Sequence, residues 1–142
     1  MDLLILLRDA QTSSLLDAFF LARQGKRRGQ EVAIVLTQEA LVAVASGTYG
    51  WPRELSGQHM RYAMADAGSQ MGLPVKGRGE GRQLDWRALL DRAAEEGIPI
   101  YGNLHWLELT GLRERLPASV RPIGGDELMD LLESSKRIIG TL

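Results

Sequence analysis

The fold of this chain is decided by residues 98–112, IPIYGNLHWLELTGL, in which an apolar segment of strand length runs through a tight turn directly into a helix. Asn103 stands at the junction. In an open α/β sheet, the carboxyl end of a strand and the amino end of the next helix meet at the crevice where ligands bind, and unpaired backbone N–H groups there favour anions. The segment therefore predicts a ligand crevice at Asn103.

On either side of this segment, apolar stretches of strand length alternate with stretches of helical period, a pattern typical of βαβ units and a mostly parallel sheet. A first helix is expected to be capped by Thr12, Ser13 or Ser14 and to end near Gly29. Another, capped by Asp85, is expected to stop at Gly97. The remaining helices are expected at residues 38–46, from near Ser56 to Met71, and at 104–112 and 126–134. Strands are expected at residues 3–7, 32–36, 98–101, 120–123 and 138–142.

Composition restricts the class of protein. A chain of 142 residues with 44% hydrophobic side chains suits a single domain over residues 1–142, with a glycine-rich irregular segment at residues 47–83. Its net charge of -1 argues against nucleic acid or an anionic membrane as partner. Asp2 precedes and Arg8 ends the first apolar run, which is neither basic nor long enough for a signal peptide. We therefore expect a cytoplasmic protein with no membrane partner.

The order of elements, above all in residues 84–142, resembles the DsrE/DsrF-like family of small α/β sulfur-relay proteins. The matching features are a helix ending in Gly97, the strand IPIY, a short helix closing on TGL, and then VRPIGGDELMDLLESSKRIIGTL as strand, glycine turn, helix and strand. Residues 3–46 match as well. The resemblance implies a three-layer α/β/α domain with a parallel sheet of about five strands. It also implies a homo-oligomer, as a trimer or hexamer, and related sulfur-relay proteins as partners.

The resemblance does not extend to the family's chemistry. In members that carry sulfur, a cysteine at the end of the IPIY-like strand accepts a persulfide, and the matching position here is Asn103. A second cysteine of some relatives falls at Trp106. The chain contains no cysteine, and neither a carboxamide nor an indole replaces a thiolate nucleophile. The sequence predicts the family's scaffold without persulfide transfer.

The predicted site surrounds the turn after the third confident strand. No carboxylate lies in the first turn of the helix that follows Asn103, so the positive end of that helix stays available to an anion. Asn103 is also a good N-cap residue. The loop VKGRGEGRQLDW supplies Arg78 and Arg82 as candidate anion contacts, although Arg82 takes the place of the third glycine of a GxGxxG motif. The expected ligand-binding residues are Tyr101, Asn103, Leu104, His105 and Trp106.

His105 is the candidate catalytic residue, because it lies one turn from the predicted crevice and an imidazole can act as a general acid or base. A histidine on a helix surface without a catalytic role is the competing interpretation. His59 and His105 are the only histidines, and without cysteine they form a poor ligand set, so we predict no metal and no cofactor.

Three classes of function stay open at this point. The first hypothesis is an oligomeric accessory module that binds a small ligand or a partner, with no enzymatic activity. Its alternatives are an enzyme acting on a small anionic substrate at Asn103 and His105, and a structural subunit paired with an active relative. Self-association is expected through apolar residues outside the βαβ pattern, such as Met60, Met64 and Trp51.

Overall fold

A computed structural model describes residues 1–141, which form a five-stranded parallel sheet with helices on both faces. The predicted α/β class is confirmed. Short 3-10 turns lie at Arg53–Leu55, Gly79–Gly81 and Arg113–Arg115. The helices and strands are β1 Leu3–Leu7, α1 Thr12–Arg27, β2 Val32–Leu36, α2 Gln38–Ser46, α3 Gln58–Gln70, β3 Val75–Lys76, β4 Gln83–Leu84, α4 Trp86–Glu95, β5 Ile100–Asn103, α5 Leu104–Thr110, β6 Val120–Ile123, α6 Gly125–Ser134 and β7 Arg137–Thr141.

The strand order of the sheet is β6-β5-β2-β1-β7, with every pair parallel. Leu3 of β1 is in register with Val32 of β2 on one side and with Arg137 of β7 on the other. The chain moves from β1 through β2 and β5 to β6 in one direction, then returns across the sheet to β7. Because crossover connections are right-handed, this reversal brings α6 to the face opposite the earlier helices.

The two faces of the sheet are covered very differently. The first face carries the large core, in which Leu15 and Phe19 of α1, Leu41 of α2, Leu90 of α4 and Leu107 of α5 are almost fully buried. On the second face, α6 covers Leu4, Ala33 and Val35 through the partly buried Leu128, Leu131 and Leu132. No residue of α6 is fully buried. The three layers are therefore present, and the outer layer on the second face is thin.

The segment at residues 47–83, predicted to be irregular, contains α3 and the first strand of a two-stranded antiparallel hairpin, β3 and β4. Helix α3 begins at Gln58, two residues after the predicted start. Leu73, just before the hairpin, and Leu84, in β4, join the large core, and the N–H of Asp85 donates to the carbonyl of Pro74 at 2.9 Å. This unit thus packs against the first face.

The bounds of β5 and α5 and the cap of α1 differ from those predicted. Strand β5 begins at Ile100 instead of Ile98, and the carbonyl of Pro99 accepts the N–H of Ile34 at 3.0 Å just before it. Helix α5 stops at Thr110 because Gly111 takes a left-handed conformation at φ 69°. Residues 12–14 lie inside α1 and do not cap it. The carboxylate of Asp9 instead accepts the Gln11 N–H at 2.9 Å and the Ser14 hydroxyl at 2.8 Å.

The last strand was predicted over residues 138–142, of which Leu142 lies outside the described residues. Strand β7 starts at Arg137, next to an ion pair of 2.8 Å between the Lys136 ammonium and the Asp2 carboxylate. The hydrogen bond from Lys136, followed by one from the Glu31 N–H, lowers the pKa of Asp2. Asp2 thereby joins the starts of β1, β2 and β7. In the described part of the chain, no helix combines the length and hydrophobicity needed to cross a bilayer.

Candidate functional site

Asn103 is the last residue of β5. At this place in the sheet, the connections that follow neighbouring strands pass over opposite faces. The neighbour of Asn103 in register is Ile123, the last residue of β6. Helix α5, which follows Asn103, packs against the large core of the first face, whereas α6, which follows β6, covers the second face. In open α/β sheets, ligands bind at the carboxyl ends of strands where consecutive connections diverge in this way. The topology therefore makes this edge of the sheet the candidate position for the predicted crevice.

The side chain of Asn103 is held at both of its polar ends. Its Oδ1 accepts the backbone N–H of His105 at 3.2 Å, which is the predicted N-cap. Its Nδ2 donates to the Thr37 hydroxyl at 3.2 Å, where Thr37 directly follows β2. The carboxamide thus ties the carboxyl ends of β2 and β5 together.

The amino end of α5 attracts an anion less strongly than that of the predicted longer helix would. Helix α5 has seven residues, so its dipole is shorter than that of the predicted helix at residues 104–112. One of its unpaired N–H groups is already bonded to Asn103. The turn is better described as a rigid joint than as an anion cradle.

Gln38, the first residue of α2, is the strained position of this edge. Its φ is 53°, and it is the one non-glycine residue with positive φ among residues 1–141. Such a conformation costs about 1–3 kcal/mol for a non-glycine residue and concentrates at functional sites. The N–H of Ala40, in the same turn, donates to the carbonyl of Arg8 at 2.9 Å, which anchors the strained turn to the end of β1. A single sequence carries no signal for this feature.

A cavity of about 280 Å³ opens next to Gln38, and we call it the edge cavity. It lies beyond the carboxyl ends of β1, β2 and β5, between α2 and Trp106. Most of its wall is apolar, and Glu39 is its one charged group in the described part of the protein. It is lined by Ala10, Gln38, Glu39, Val42, Ala43, Thr48 and Trp106.

The structure distributes the five predicted ligand-binding residues over different surroundings. Leu104 and Trp106 are partly buried against the large core, and Trp106 also lines the edge cavity. His105 is exposed, and its ring forms no hydrogen bond or ion pair within residues 1–141. Tyr101 packs on the second face, with the Arg121 guanidinium 4.8 Å from its ring centre. Tyr101 is therefore not brought together with Trp106, because alternate residues of a strand point to opposite faces and Tyr101 follows Ile100 of the core.

The basic loop lies against α3. Arg82 forms an ion pair of 2.9 Å with Asp66 and lies 4.7 Å from the ring centre of Tyr62, and both partners belong to α3. Its charge is therefore compensated away from the Asn103 turn. Arg78 is exposed on the same loop.

The loop that closes the edge cavity from the other side is anchored by a buried tyrosine. Tyr49 is 8% exposed, and its hydroxyl donates to the carbonyl of Asp9 at 3.4 Å. Burial, reinforced by the nearby Asp9 carboxylate, raises the pKa of Tyr49 strongly. Thr12 N–H donates to the Gly50 carbonyl at 2.9 Å and completes the connection.

The two histidines of the chain lie on different helices. Within residues 1–141, no group of three or more His, Asp or Glu side chains is placed to hold a metal ion. His59 lines a cleft beside α3, whereas His105 lies on α5.

Comparison with solved structures identifies proteins of the same fold. The YchN protein of E. coli superposes with a TM-score of 0.60 at 15% identity, covering 99% of this chain and 100% of that one. BT1422, a conserved protein of unknown function from Bacteroides thetaiotaomicron, superposes with a TM-score of 0.60 at 14% identity, covering 99% and 95%. No family profile and no curated protein sequence matches the chain. Both neighbours have the DsrE/DsrF-like fold, so the resemblance drawn from the sequence holds for the fold.

Proposed function

We propose that this protein is an accessory module that binds a small ligand in the edge cavity and acts as a homo-oligomer. It uses the scaffold of the sulfur-relay proteins and is not itself a persulfide carrier, because none of its 142 residues is a cysteine. The observation that carries the proposal is the edge cavity itself, with the strained Gln38 at its rim and Trp106 as its wall.

The chemistry of the edge cavity restricts its ligand. A volume of about 280 Å³ is close to the lower end of the usual range for small-molecule sites, whose walls are mostly apolar with a few polar groups. The indole of Trp106 offers a flat surface to a ring or a cation. The carboxylate of Glu39 favours a neutral or cationic group over an anion. A small aromatic or alicyclic molecule with a hydrogen-bonding or cationic substituent fits these features.

Oligomerisation is part of the proposal because the second face is thinly covered. Parallel sheets normally have both faces buried. Here Met129 of α6 is 51% exposed, and Ile138 of β7, which lies beside α6, is 45% exposed. A second copy of the chain would cover this apolar surface, in a trimer or hexamer as the family resemblance implies.

A titration with three probes that share one ring tests the ligand site. Benzamidine, benzamide and benzoate differ in charge, and amide NMR spectra record which residues each one shifts. We expect benzamidine and benzamide to shift Gln38, Val42, Thr48 and the Trp106 indole, and benzoate to bind more weakly. In Glu39→Gln, benzamidine should lose its advantage over benzamide, because the attracting charge is gone.

A matched pair of tryptophan variants is the control. Trp106→Leu removes the wall of the edge cavity and should abolish these shifts. Trp51→Leu alters a tryptophan that lines a different cavity and should leave them in place. If benzoate binds best and shifts residues 103–105, the anionic-substrate hypothesis is favoured and the proposal is wrong.

A further inference from the structure

A wide opening of the described surface lies between α3 and the glycine-rich loop, away from the residues of the edge cavity. Its volume is about 400 Å³, and Gln58, His59, Tyr62 and Glu80 line it. A second cavity of about 120 Å³ shares Gln58 and Glu80 with the first and also touches Arg61 and residues 81–83. We call the two together the α3 cleft.

One wall of the α3 cleft is held in place by Arg82. Its Nη2 pairs with Asp66 at 2.9 Å, its Nε donates to the Gly79 carbonyl at 3.1 Å, and its guanidinium lies over the Tyr62 ring. Gly77 and Gly81 of the loop also lie close together, because a Cβ at Gly77 would lie 2.5 Å from the carbonyl oxygen of Gly81. The cleft is therefore preformed, and the charge of Arg82 is already compensated by Asp66.

Arg61 differs from Arg82 because the described residues give its guanidinium no partner. Its Nε is buried without an acceptor, and within residues 1–141 its guanidinium has no hydrogen bond or ion pair. A buried charged donor without a partner costs free energy, and native structures leave few such groups unsatisfied. A guanidinium matches the two oxygens of a carboxylate or a phosphate with parallel hydrogen bonds.

We propose that the α3 cleft binds a small oxyanion, the carboxylate or phosphate group of a metabolite, through Arg61. Gln58, His59 and Tyr62 lie along the same cleft and carry hydrogen-bond donors for the rest of the ligand. The volume of the larger cavity leaves room for an organic body beyond the anionic group. The site is separate from the edge cavity, and neither proposal depends on the other.

Glu80 adds a negative charge to the lining of the α3 cleft. Its carboxylate lines both cavities of the α3 cleft and faces the same space as Arg61. A negative charge there opposes an incoming anion. Removal of the Glu80 charge should therefore strengthen anion binding, whereas removal of the Arg61 charge should abolish it.

Titrations with inorganic phosphate and with acetate, at constant ionic strength, test the site. We expect one of them to shift the amide signals of Gln58, His59, Tyr62 and Gly81 in a saturable manner. Preference for phosphate identifies a phosphorylated metabolite, and preference for acetate identifies a carboxylate. Arg61→Gln should weaken the binding by about tenfold or more, and Glu80→Gln should tighten it severalfold.

Two controls separate a binding role from a structural one. Arg53→Gln removes an exposed arginine from the neighbouring 3-10 turn and should leave the titration unchanged. Arg61→Gln should be as resistant to heat as the parent in chloride, because it removes an unsatisfied group. Saturation by neither anion, equal binding by Arg61→Gln, or a lowered melting temperature of Arg61→Gln in chloride would each overturn the proposal.

Discussion

At the scale of single residues, Gln38 stores strain that a glycine would release. Its φ of 53° is costly for a side chain and free for glycine. We expect Gln38→Gly to raise the free energy of unfolding by about 0.5–1 kcal/mol in urea denaturation. Gln24→Gly, at an exposed position inside α1, should lower it by about 1 kcal/mol. A loss of stability in Gln38→Gly would show that the side-chain contacts of Gln38 outweigh the strain.

Because of Tyr49, the free energy of unfolding should decrease at alkaline pH. A tyrosine in the unfolded chain loses its proton near pH 10, whereas the raised pKa of Tyr49 keeps it protonated in the folded protein. The contribution of Tyr49 to the free energy of unfolding is complete below pH 10. Above pH 10 it declines by at most about 1.4 kcal/mol per pH unit. Denaturation at several pH values should show the parent losing stability relative to Tyr49→Phe above pH 10. Parallel curves for the two proteins would contradict this.

Some features of single residues could be predicted from the sequence, and others could not. The capping role of Asn103 was predictable, because an asparagine before an apolar helix has a local reason to be there. The face on which Tyr101 lies depended on where β5 begins. The unpaired state of Arg61 depended on how the loop docks on α3, so the sequence pointed to Arg78 and Arg82 instead.

At the scale of elements, α1 and β2 approach each other at Gly25. A Cβ at this buried position would lie 2.8 Å from Cγ2 of Val32, a stiff β-branched side chain. Overpacking should outweigh the gain in helix propensity, so Gly25→Ala should lose about 1 kcal/mol in urea denaturation. The loss should shrink in a Val32→Ala background. Gln24→Ala, one residue away on the exposed side, should change stability by less than about 0.5 kcal/mol.

Elements with strong local signals were predicted closely. Helix α2 at residues 38–46 and strand β6 at residues 120–123 coincide with the expected bounds, since a polar start or a glycine turn limits each. The hairpin of β3 and β4 was missed. Each of its strands has two residues, too few to show an alternating pattern.

At the scale of the whole molecule, the second face should mediate self-association. We expect light scattering to show an oligomer at micromolar concentration and Met129→Glu to dissociate it, because a charge would be buried in the contact. Leu109→Glu alters a residue that is 64% exposed on α5 and should leave the assembly intact. A monomeric parent protein would contradict the prediction.

The expected subunit interface on the second face differs from the one that the sequence indicated. The sequence pointed to Met60, Met64 and Trp51, but Met64 and Trp51 pack against the large core of their own chain. Met60 stays 41% exposed. Hydropathy alone could not separate these cases, because the same helical stripe can face a partner or the protein's own interior.

The strand order has a consequence for the protein during its synthesis. Strand β1 is made first, yet one of its two neighbours, β7, is made more than 100 residues later. Until Arg137–Thr141 leaves the ribosome, the apolar β1 is an open edge that can pair with another nascent chain. A stalled or truncated product that lacks β7 should therefore recruit chaperones and aggregate, even though the large core of the first face is already complete.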